Sequence, residues 1–190
     1  MFDFVSKIID KIYTIILRRK FKYCGKNVKI RFPVIITNPQ KISIGDNVFI
    51  GEHVWLNAGH NPSSINNLNT DNDLNLTIKS GCYISRFSHI NAFHDVCVME
   101  DVLVGENVYF GDADHSSKLK NIPIIKQIVE VKEKVIIGAG SHVCKNAIIA
   151  SGVSIGKNSI VGPNAFLTKN LPDYATAIGN PAFIMENNEN

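Results

Sequence analysis

The sequence predicts an all-β protein, a parallel β-helix of about six triangular coils that follows an N-terminal amphipathic helix. Two observations predict it: an aliphatic residue recurs every six positions, and glycine is concentrated at one position of that repeat. A period of six fits neither the 3.6-residue period of an α-helix nor the two-residue alternation of a strand. It fits a short strand plus a corner, so that three units close a triangular coil and successive coils stack as parallel strands.

The repeat is clearest in the run VIIGAGSHVCKNAIIASGVSIGKNSIVGPNAFLTKN, and the same phase extends back through the chain. We call its recurring apolar residue the register position. Of 18 register positions 16 are Ile, Val or Leu, which should line the interior in columns. The register positions are Cys24, Ile30, Ile36, Ile44, Ile50, Leu56, Ile78, Ile84, Ile90, Val98, Val104, Phe110, Ile137, Val143, Ile149, Ile155, Val161 and Leu167. Eight of the 13 glycines follow a register position, which we interpret as a backbone turn that other residues would strain to make.

The repeat is interrupted after Ile36, Leu56, Ile90 and Phe110, in each case after the third unit of a coil. All insertions should therefore leave from the same corner of the prism. Two are long, near residues 57–77 and 111–134, and long loops in a compact repeat fold commonly carry function. The predicted organisation is a helix over residues 1–22, a β-helix domain over 23–185 and a polar tail over 186–190.

Composition limits the classes of function. A chain of 190 residues that is 45% hydrophobic and 19% charged is expected to fold as one domain. Its net charge is only +3, without a basic stripe interleaved with aromatic residues, so a nucleic-acid partner is not expected. No secretory signal or membrane-spanning run is evident, which predicts a cytoplasmic protein, free or peripheral at the inner face of the membrane. The four cysteines lack a CxxC pair and are expected to be reduced core residues.

The N-terminal segment has a one-sided pattern typical of an amphipathic helix. Its apolar side comprises Val5, Ile8, Ile9, Ile12, Ile15 and Ile16, and its polar side comprises Lys7, Asp10, Lys11 and Arg18. One interpretation, which we favour, is a helix that covers the open end of the prism. The other is weak association with a membrane surface near lipid-linked glycans, since Arg18, Arg19, Lys20 and Lys22 form a basic cluster.

The C-terminal run VSIGKNSIVGPNAFLTKNLPDYATAIGNPAF contains a TK pair and a closing GNPA turn. With these motifs, the chain resembles the hexapeptide-repeat acyltransferases over about residues 21–185. It is most similar to the O-acetyltransferases of maltose, galactosides and bacterial surface polysaccharides. The resemblance implies a left-handed β-helix, a homotrimer and acetyl-CoA as acyl donor, with no metal expected. The implied reaction is acetylation of a sugar hydroxyl on a surface polysaccharide or its precursor; the alternative is N-acetylation of a nucleotide-linked amino sugar.

The family's catalytic histidine lies in a short segment rich in Asp and His that precedes the last coils. Here that segment is YFGDADHSS, with Ala113 where many relatives carry a second histidine. The resemblance implies that His115 is the general base, a role that suits histidine because its ordinary pKa is near neutral. Asp112 or Asp114 would orient its ring and stabilise the imidazolium. A thioester is already activated, so direct attack in a ternary complex suffices.

Further residues are assigned to the two substrates by position. The resemblance implies that Lys145, Thr168 and Lys169 contact coenzyme A. His142 stands where relatives often have a tryptophan near the donor, and Phe183 stands where they commonly have a basic residue. Asn91 and His94 lie at the same corner one coil before His115 and are candidates for contacting the acceptor sugar. Their alternative role is to cap a tight corner through hydrogen bonds to the backbone.

Functions of two other classes fit the sequence less well than acyl transfer does. His53, His89 and His94 have spacings similar to those in zinc-dependent β-helix hydratases, but their phases relative to the register positions differ from that pattern. A non-catalytic scaffold would need neither the DADH segment nor the TK and GNPA motifs. The sequence therefore favours a transferase.

Overall fold

The chain forms a parallel β-helix with one N-terminal helix, as seen in a computed structural model that describes residues 2–59 and 75–185. Helix α1 spans Phe2–Arg18 and precedes the first coil. Coils one to four comprise β1 Tyr23–Cys24, β2 Lys29–Ile30, β3 Ile35–Thr37, β4 Ile42–Ile44, β5 Phe49–Ile50, β6 Trp55–Ala58, β7 Asn75–Ile78, β8 Tyr83–Ile84, β9 His89–Ala92, β10 Asp95–Val98, β11 Leu103–Val104 and β12 Tyr109–Gly111. The later strands are β13 Ala113–His115, β14 Val129–Val131, β15 Val135–Ile137, β16 His142–Val143, β17 Ile148–Ile149, β18 Ile160–Val161, β19 Phe166–Leu167, β20 Thr176–Ile178 and β21 Phe183–Met185. Short 3-10 helices lie at Pro39–Lys41 and Ile124–Lys126.

Three sheets form the faces of the prism. The first contains β1, β4, β7, β10 and β15, the second β2, β5, β8, β11, β16, β18, β20 and β21, and the third β3, β6, β9, β12, β17 and β19. Neighbouring strands are parallel except for the closing pair β20 and β21. Register positions pair with one another, as when Ile84 aligns with Ile50 and Val104. The predicted coils and their register are therefore confirmed.

All four insertions leave from the edge between the third and first sheets, which we call the insertion corner. Among described residues it comprises 37–41, 57–59, 91–94, 111–134, 150–154 and 168–170. The interruptions between β3 and β4, β6 and β7, β9 and β10, and β12 and β15 all fall here. The single-corner prediction is confirmed. Most of the predicted 57–77 loop lies outside the described residues, as does the predicted tail.

The glycines after the register positions serve a different purpose from the one expected. They have no left-handed backbone; a Cβ on Gly105 would instead lie 2.6 Å from the backbone nitrogen of Lys145 in the next coil. The left-handed corners lie two residues later, at Asn47, Asn107 and their equivalents, because asparagine tolerates positive φ. Glycine in this repeat thus permits close stacking of coils, while asparagine makes the turn.

Helix α1 covers the first coil with the side that holds Asp10, Tyr13 and Thr14. Thr14 Oγ1 accepts a hydrogen bond from the Ile30 N–H at 3.0 Å and contacts its carbonyl at 3.2 Å. Asp10 accepts from the Phe32 N–H at 2.9 Å and pairs with Arg31 at 2.9 Å. The Tyr13 hydroxyl donates to the Val34 carbonyl at 3.2 Å. These side chains satisfy backbone groups of an otherwise open strand edge, as a capping element must.

The helix therefore covers the end of the prism as favoured, but its isoleucine side faces away from the protein. Leu17 and Phe21 are buried against the core, whereas the six apolar residues of the opposite side are exposed. None of the described helices is long and apolar enough to cross a membrane. All four cysteines are described and carry free thiols, and burial raises the pKa of Cys82 to about 11.

Core packing can be tested at Ile84, which is fully buried at the centre of the second sheet. Ile84→Ala should lower the free energy of unfolding by about 2–5 kcal/mol, because it removes buried methyl groups and leaves a cavity. The matched variant Ile84→Val should cost about 0.5–1.5 kcal/mol. Urea unfolding followed by circular dichroism measures both. Equal, negligible losses would contradict the assignment of this column to the interior.

Candidate active site

The insertion after β12 is a two-stranded hairpin that carries His115. Strands β13 and β14 pair antiparallel, with His115 opposite Val129 and Asp114 opposite Glu130. The buried Gln127 side chain braces the tip, since its amide hydrogen-bonds to Leu119 and Ile122 at 2.8–3.0 Å. At the root, the Ser151 hydroxyl donates to the Ala113 carbonyl at 2.9 Å and ties the hairpin to the fifth coil. The chain thus presents His115 on a braced element.

Glu130 anchors the hairpin electrostatically. Its carboxylate lies 2.9 Å from the amines of both Lys118 and Lys132. Hydrogen bonds from Lys118, Lys132 and Ser116 lower the pKa of Glu130 to about 2. Because the pKa of Glu130 is lower in the folded protein, its ion pairs stabilise the fold fully above the ordinary glutamate pKa. This stabilisation is lost as the pH falls toward 2.

Asp112 is fully buried and is engaged with the preceding coil. Its carboxylate accepts backbone N–H hydrogen bonds from Phe93 at 2.6 Å and from His94 and Asp95 at 2.7 Å. This geometry holds the corner at which His94 lies. The structure therefore gives Asp112 a positioning contact, which differs from the contact with His115 that the sequence suggested.

Asp114 and His115 are both exposed on the hairpin. Asp114 Oδ1 accepts a hydrogen bond from the backbone N–H of His115 at 2.8 Å. Within residues 2–59 and 75–185, neither Asp112 nor Asp114 is hydrogen-bonded to the imidazole of His115. Of the two acids, Asp114 is the one whose carboxylate lies at the surface beside the histidine.

A row of polar side chains runs along the third sheet beside the hairpin. Asn57 donates to the Asn91 Oδ1 at 2.6 Å, and Asn91 in turn hydrogen-bonds to the Tyr109 hydroxyl. Burial raises the pKa of Tyr109, the Asn91 hydrogen bond opposes this, and the charges of Asp114 and Asp112 raise it further. Asn57 Oδ1 is buried without a partner among the described residues. These groups form a polar wall suited to hydrogen bonding with a hydroxylated ligand.

His94 is exposed at the insertion corner, and Asn91 is half-buried there. Both therefore lie where the sequence placed them, one coil before the hairpin root. Asn57 and Tyr109 were missed, although a signal for Asn57 was available. Asn57 and Asn91 each follow a register position of the third sheet in successive coils, and β6 and β9 align them.

The predicted donor residues lie on different faces of the prism. Thr168 and Lys169 follow β19 and are exposed at the insertion corner, on the same edge as His115. His142 points outward from β16 in the second sheet, with its Nδ1 3.7 Å from Cys144 Sγ. Lys145 lies at the corner between the second and third sheets. In one chain, Thr168, Lys169 and His115 therefore lie on the same edge of the prism, whereas His142 and Lys145 lie on a different face and a different corner.

Lys145 also takes part in a surface ion-pair row. Its amine lies 3.1 Å from Glu106, whose other oxygen is 2.9 Å from Arg86. The hydrogen bond from Lys145 lowers the pKa of Glu106, and Arg86 adds to this effect. Such exposed pairs contribute little to stability, so Lys145 remains accessible to a polyanionic ligand.

The three histidines of the zinc alternative lie apart. His53 stacks on Phe87 at 5.1 Å at the corner between the second and third sheets, and His89 stacks on Trp55 at 4.3 Å on the third sheet. Burial lowers the pKa of His89. His94 lies at the insertion corner. Among the described residues, no three His, Cys, Asp or Glu side chains converge as metal ligands.

The repeat and the fold have known counterparts. The family described as bacterial transferase hexapeptide (six repeats) matches residues 129–169. A mutant of AntD, an N-acyltransferase from Bacillus cereus in complex with dTDP and coenzyme A, has a TM-score of 0.74 at 22% identity over 90% of this chain and 87% of that one. A hexapeptide-repeat acetyltransferase from Vibrio cholerae O1 biovar eltor, complexed with acetyl coenzyme A, has a TM-score of 0.61 at 18% identity over 91% and 74%.

A maltose O-acetyltransferase from Clostridium difficile 630 is also similar, with a TM-score of 0.55 at 20% identity over 93% of this chain and 74% of that one. No curated protein matches the chain in sequence. The family match shows hexapeptide repeats over residues 129–169, and the shared architecture shows that this chain has the left-handed β-helix fold of these acyltransferases. The predicted family resemblance and fold class are therefore confirmed.

The role of Asp112 can be separated from catalysis by a stability measurement. Asp112→Asn should lower the free energy of unfolding by about 1–3 kcal/mol, because an amide cannot accept three converging N–H groups. Asp114→Asn is the matched control and should be nearly neutral, since its retained oxygen can still accept from His115. Chemical denaturation measures both. A neutral Asp112→Asn would contradict the positioning role.

Proposed function

We propose that this protein transfers an acetyl group from acetyl-CoA to a hydroxyl of a sugar in a bacterial surface polysaccharide or its precursor. The observation that carries the proposal is the placement of His115. The hairpin presents it on the same edge as Thr168 and Lys169, beside a polar wall formed by Asn57, Asn91 and Tyr109. Similar structures of acetyltransferases, one with acetyl coenzyme A bound and one a maltose O-acetyltransferase, support it.

The reaction requires one proton transfer in each direction. His115 takes the proton of the acceptor hydroxyl as its oxygen attacks the thioester carbonyl, giving a tetrahedral intermediate. The carbon–sulfur bond then breaks, and the imidazolium returns the proton to the leaving thiolate. Asp114, whose carboxylate is exposed on the same hairpin, is the acid that we propose stabilises the imidazolium. Backbone N–H groups at the insertion corner would stabilise the oxyanion.

The donor site is proposed to be shared between subunits of a homotrimer. Thr168 and Lys169 would contact coenzyme A from the subunit that supplies His115. His142 and Lys145 lie on other faces of the prism, so they would reach the same donor only from a neighbouring subunit. Cationic lysines at both positions suit the phosphates of the nucleotide.

A second candidate is N-acetylation of a nucleotide-linked amino sugar. Structures of similar N-acyltransferases contain dTDP-4-amino-4,6-dideoxyglucose or GDP-perosamine. The exposed Asp114 carboxylate would hold an amine through a charged hydrogen bond. An acetyl-transfer screen over free sugars, oligosaccharides and amino-nucleotide sugars separates the two. Preferred transfer to a hydroxyl supports the first, and preferred transfer to the amine supports the second.

Replacement of His115, the proposed general base, should lower kcat without changing donor affinity. His115→Ala should cut kcat by roughly 10²–10⁴-fold, the usual contribution of general-base catalysis, with unchanged affinity for acetyl-CoA. Lys169→Ala should show the opposite pattern, with donor binding weaker by about tenfold and turnover retained at saturation. Lys157→Ala removes another exposed lysine, which lies away from this edge, and serves as the control. Steady-state kinetics and calorimetric titration of coenzyme A measure these effects. Retained activity in His115→Ala would overturn the base assignment.

A shared site predicts complementation between two defective variants. His115→Ala and His142→Ala subunits, co-expressed with different tags and purified as mixed trimers, should recover roughly a third of the wild-type site activity, because each mixed trimer has one interface in three that joins an intact His115 to an intact His142. The assay is run below donor saturation so that the His142 defect is visible. If the mixture shows only the average of the two variants, each site lies within one chain.

A further inference from the structure

We propose that α1 docks the protein on an anionic lipid surface, through the isoleucine face that points away from the prism. This face comprises Val5, Ile8, Ile9, Ile12, Ile15 and Ile16, which are 44–55% exposed. Contiguous exposed apolar patches on a soluble protein commonly mark an interaction site.

The helix has three distinct sides rather than two. At about 100° per residue, the side facing the prism holds Asp10, Tyr13, Thr14 and Leu17, all of which contact the first coil or core. Around the helix axis, the isoleucine face begins roughly 100° beyond Thr14, at Ile15, and spans about 120° to Ile9. Between them, on one flank, lies a stripe of Lys7, Lys11 and Arg18. The apolar face is therefore not needed for folding of the prism.

Charge identifies the kind of surface that would cover this face. Residues 1–22 contain Lys7, Lys11, Arg18, Arg19, Lys20 and Lys22 but only two acids, Asp3 and Asp10. Asp10 is already paired with Arg31 on the prism side. A second copy of the helix would bring six further cations against two acids, one of which is already paired with Arg31. Anionic headgroups would complement the stripe, while lysine stems extend beside an apolar face lying in the interface.

The geometry corresponds to a helix that lies on a bilayer and does not enter it as a span. The helix has 17 residues and is not apolar enough to cross a membrane. Its prism-facing hydrogen bonds fix its orientation, so the isoleucine face is presented outward without any rearrangement. Such a helix binds by inserting its apolar side at the headgroup boundary, aided by electrostatic attraction.

The test is flotation of the full-length protein with two kinds of vesicle, phosphatidylcholine alone and phosphatidylcholine mixed with phosphatidylglycerol. The wild type should float with the anionic vesicles, less so as salt increases. Lys7→Gln with Lys11→Gln should weaken binding about 25-fold, since each charge near the surface contributes about fivefold. Ile12→Ser with Ile16→Ser should reduce it at least tenfold. Ile125→Ser, which removes an exposed isoleucine of the hairpin, should bind as the wild type does.

Two controls test whether the variants remain folded and keep their oligomeric state. All variants change exposed side chains and should unfold at the wild-type temperature. Light scattering without lipid should show the same mass for wild type and Ile12→Ser/Ile16→Ser. A lower mass in that variant would mean that a second copy covers the face, and would overturn the proposal. Failure of the wild type to bind anionic vesicles, or equal binding to both vesicle types, would also overturn it.

Discussion

Each coil is held to the next by parallel backbone hydrogen bonds and by stacking of aliphatic side chains in three interior columns. Gly45 N–H donates to the Ile78 carbonyl and Gly105 N–H to the Val143 carbonyl, at 2.8 and 2.7 Å. A slip of one residue would turn every register side chain outward, so the six-residue spacing is maintained along the prism. Insertions must then begin and end in phase, and the chain places all of them at one edge. The hairpin that carries His115 lies at this edge because the insertions are confined to it.

The insertions lie at one corner because the other two corners are short turns that repeat from coil to coil. Those corners are four-residue turns whose left-handed residues, such as Asn107 and Asn146, hydrogen-bond to each other between coils at 3.1 Å. At the insertion corner the chain is released from this repeat and can add the hairpin. The hairpin is nevertheless tied back to the prism by the Asp112 and Ser151 contacts, and it is braced internally by Glu130 and Gln127.

Much of the architecture could be predicted because one-dimensional periodicity determines a stacked fold. The register, the six coils and the shared edge of the insertions all followed from spacing. Partners across coils did not: the burial of Asp112 against residues 93–95 depends on where a corner folds back, which no local pattern encodes. The glycines were explained wrongly for the same reason, since close approach of the next coil is a tertiary effect. The orientation of α1 depended on Thr14 and Asp10, two polar residues whose partners are backbone groups.

The family resemblance named candidate residues along the chain, but it did not say which face of the prism each one occupies. His115, Thr168 and Lys169 lie on the insertion corner, whereas His142 and Lys145 occupy the second sheet and another corner. Residues assigned to one ligand by sequence order can thus lie on faces that a single prism cannot bring together. Asn57 and Tyr109, which hydrogen-bond to Asn91, were overlooked because nothing within their own repeats marks them. Their contact with Asn91 becomes visible only when the coils are stacked.

The two ends of the prism differ from every coil between them, and this sets the length of the molecule. At the start, Thr14, Asp10 and Tyr13 occupy the hydrogen-bonding groups that a preceding coil would use. At the finish, β21 runs antiparallel to β20 and occupies the edge that a following coil would extend. With open edges at both ends, the β-helices of different molecules could pair their end coils and form a filament. The helix and the final strand cap the two ends of the β-helix, and they prevent further coils from stacking onto it end to end.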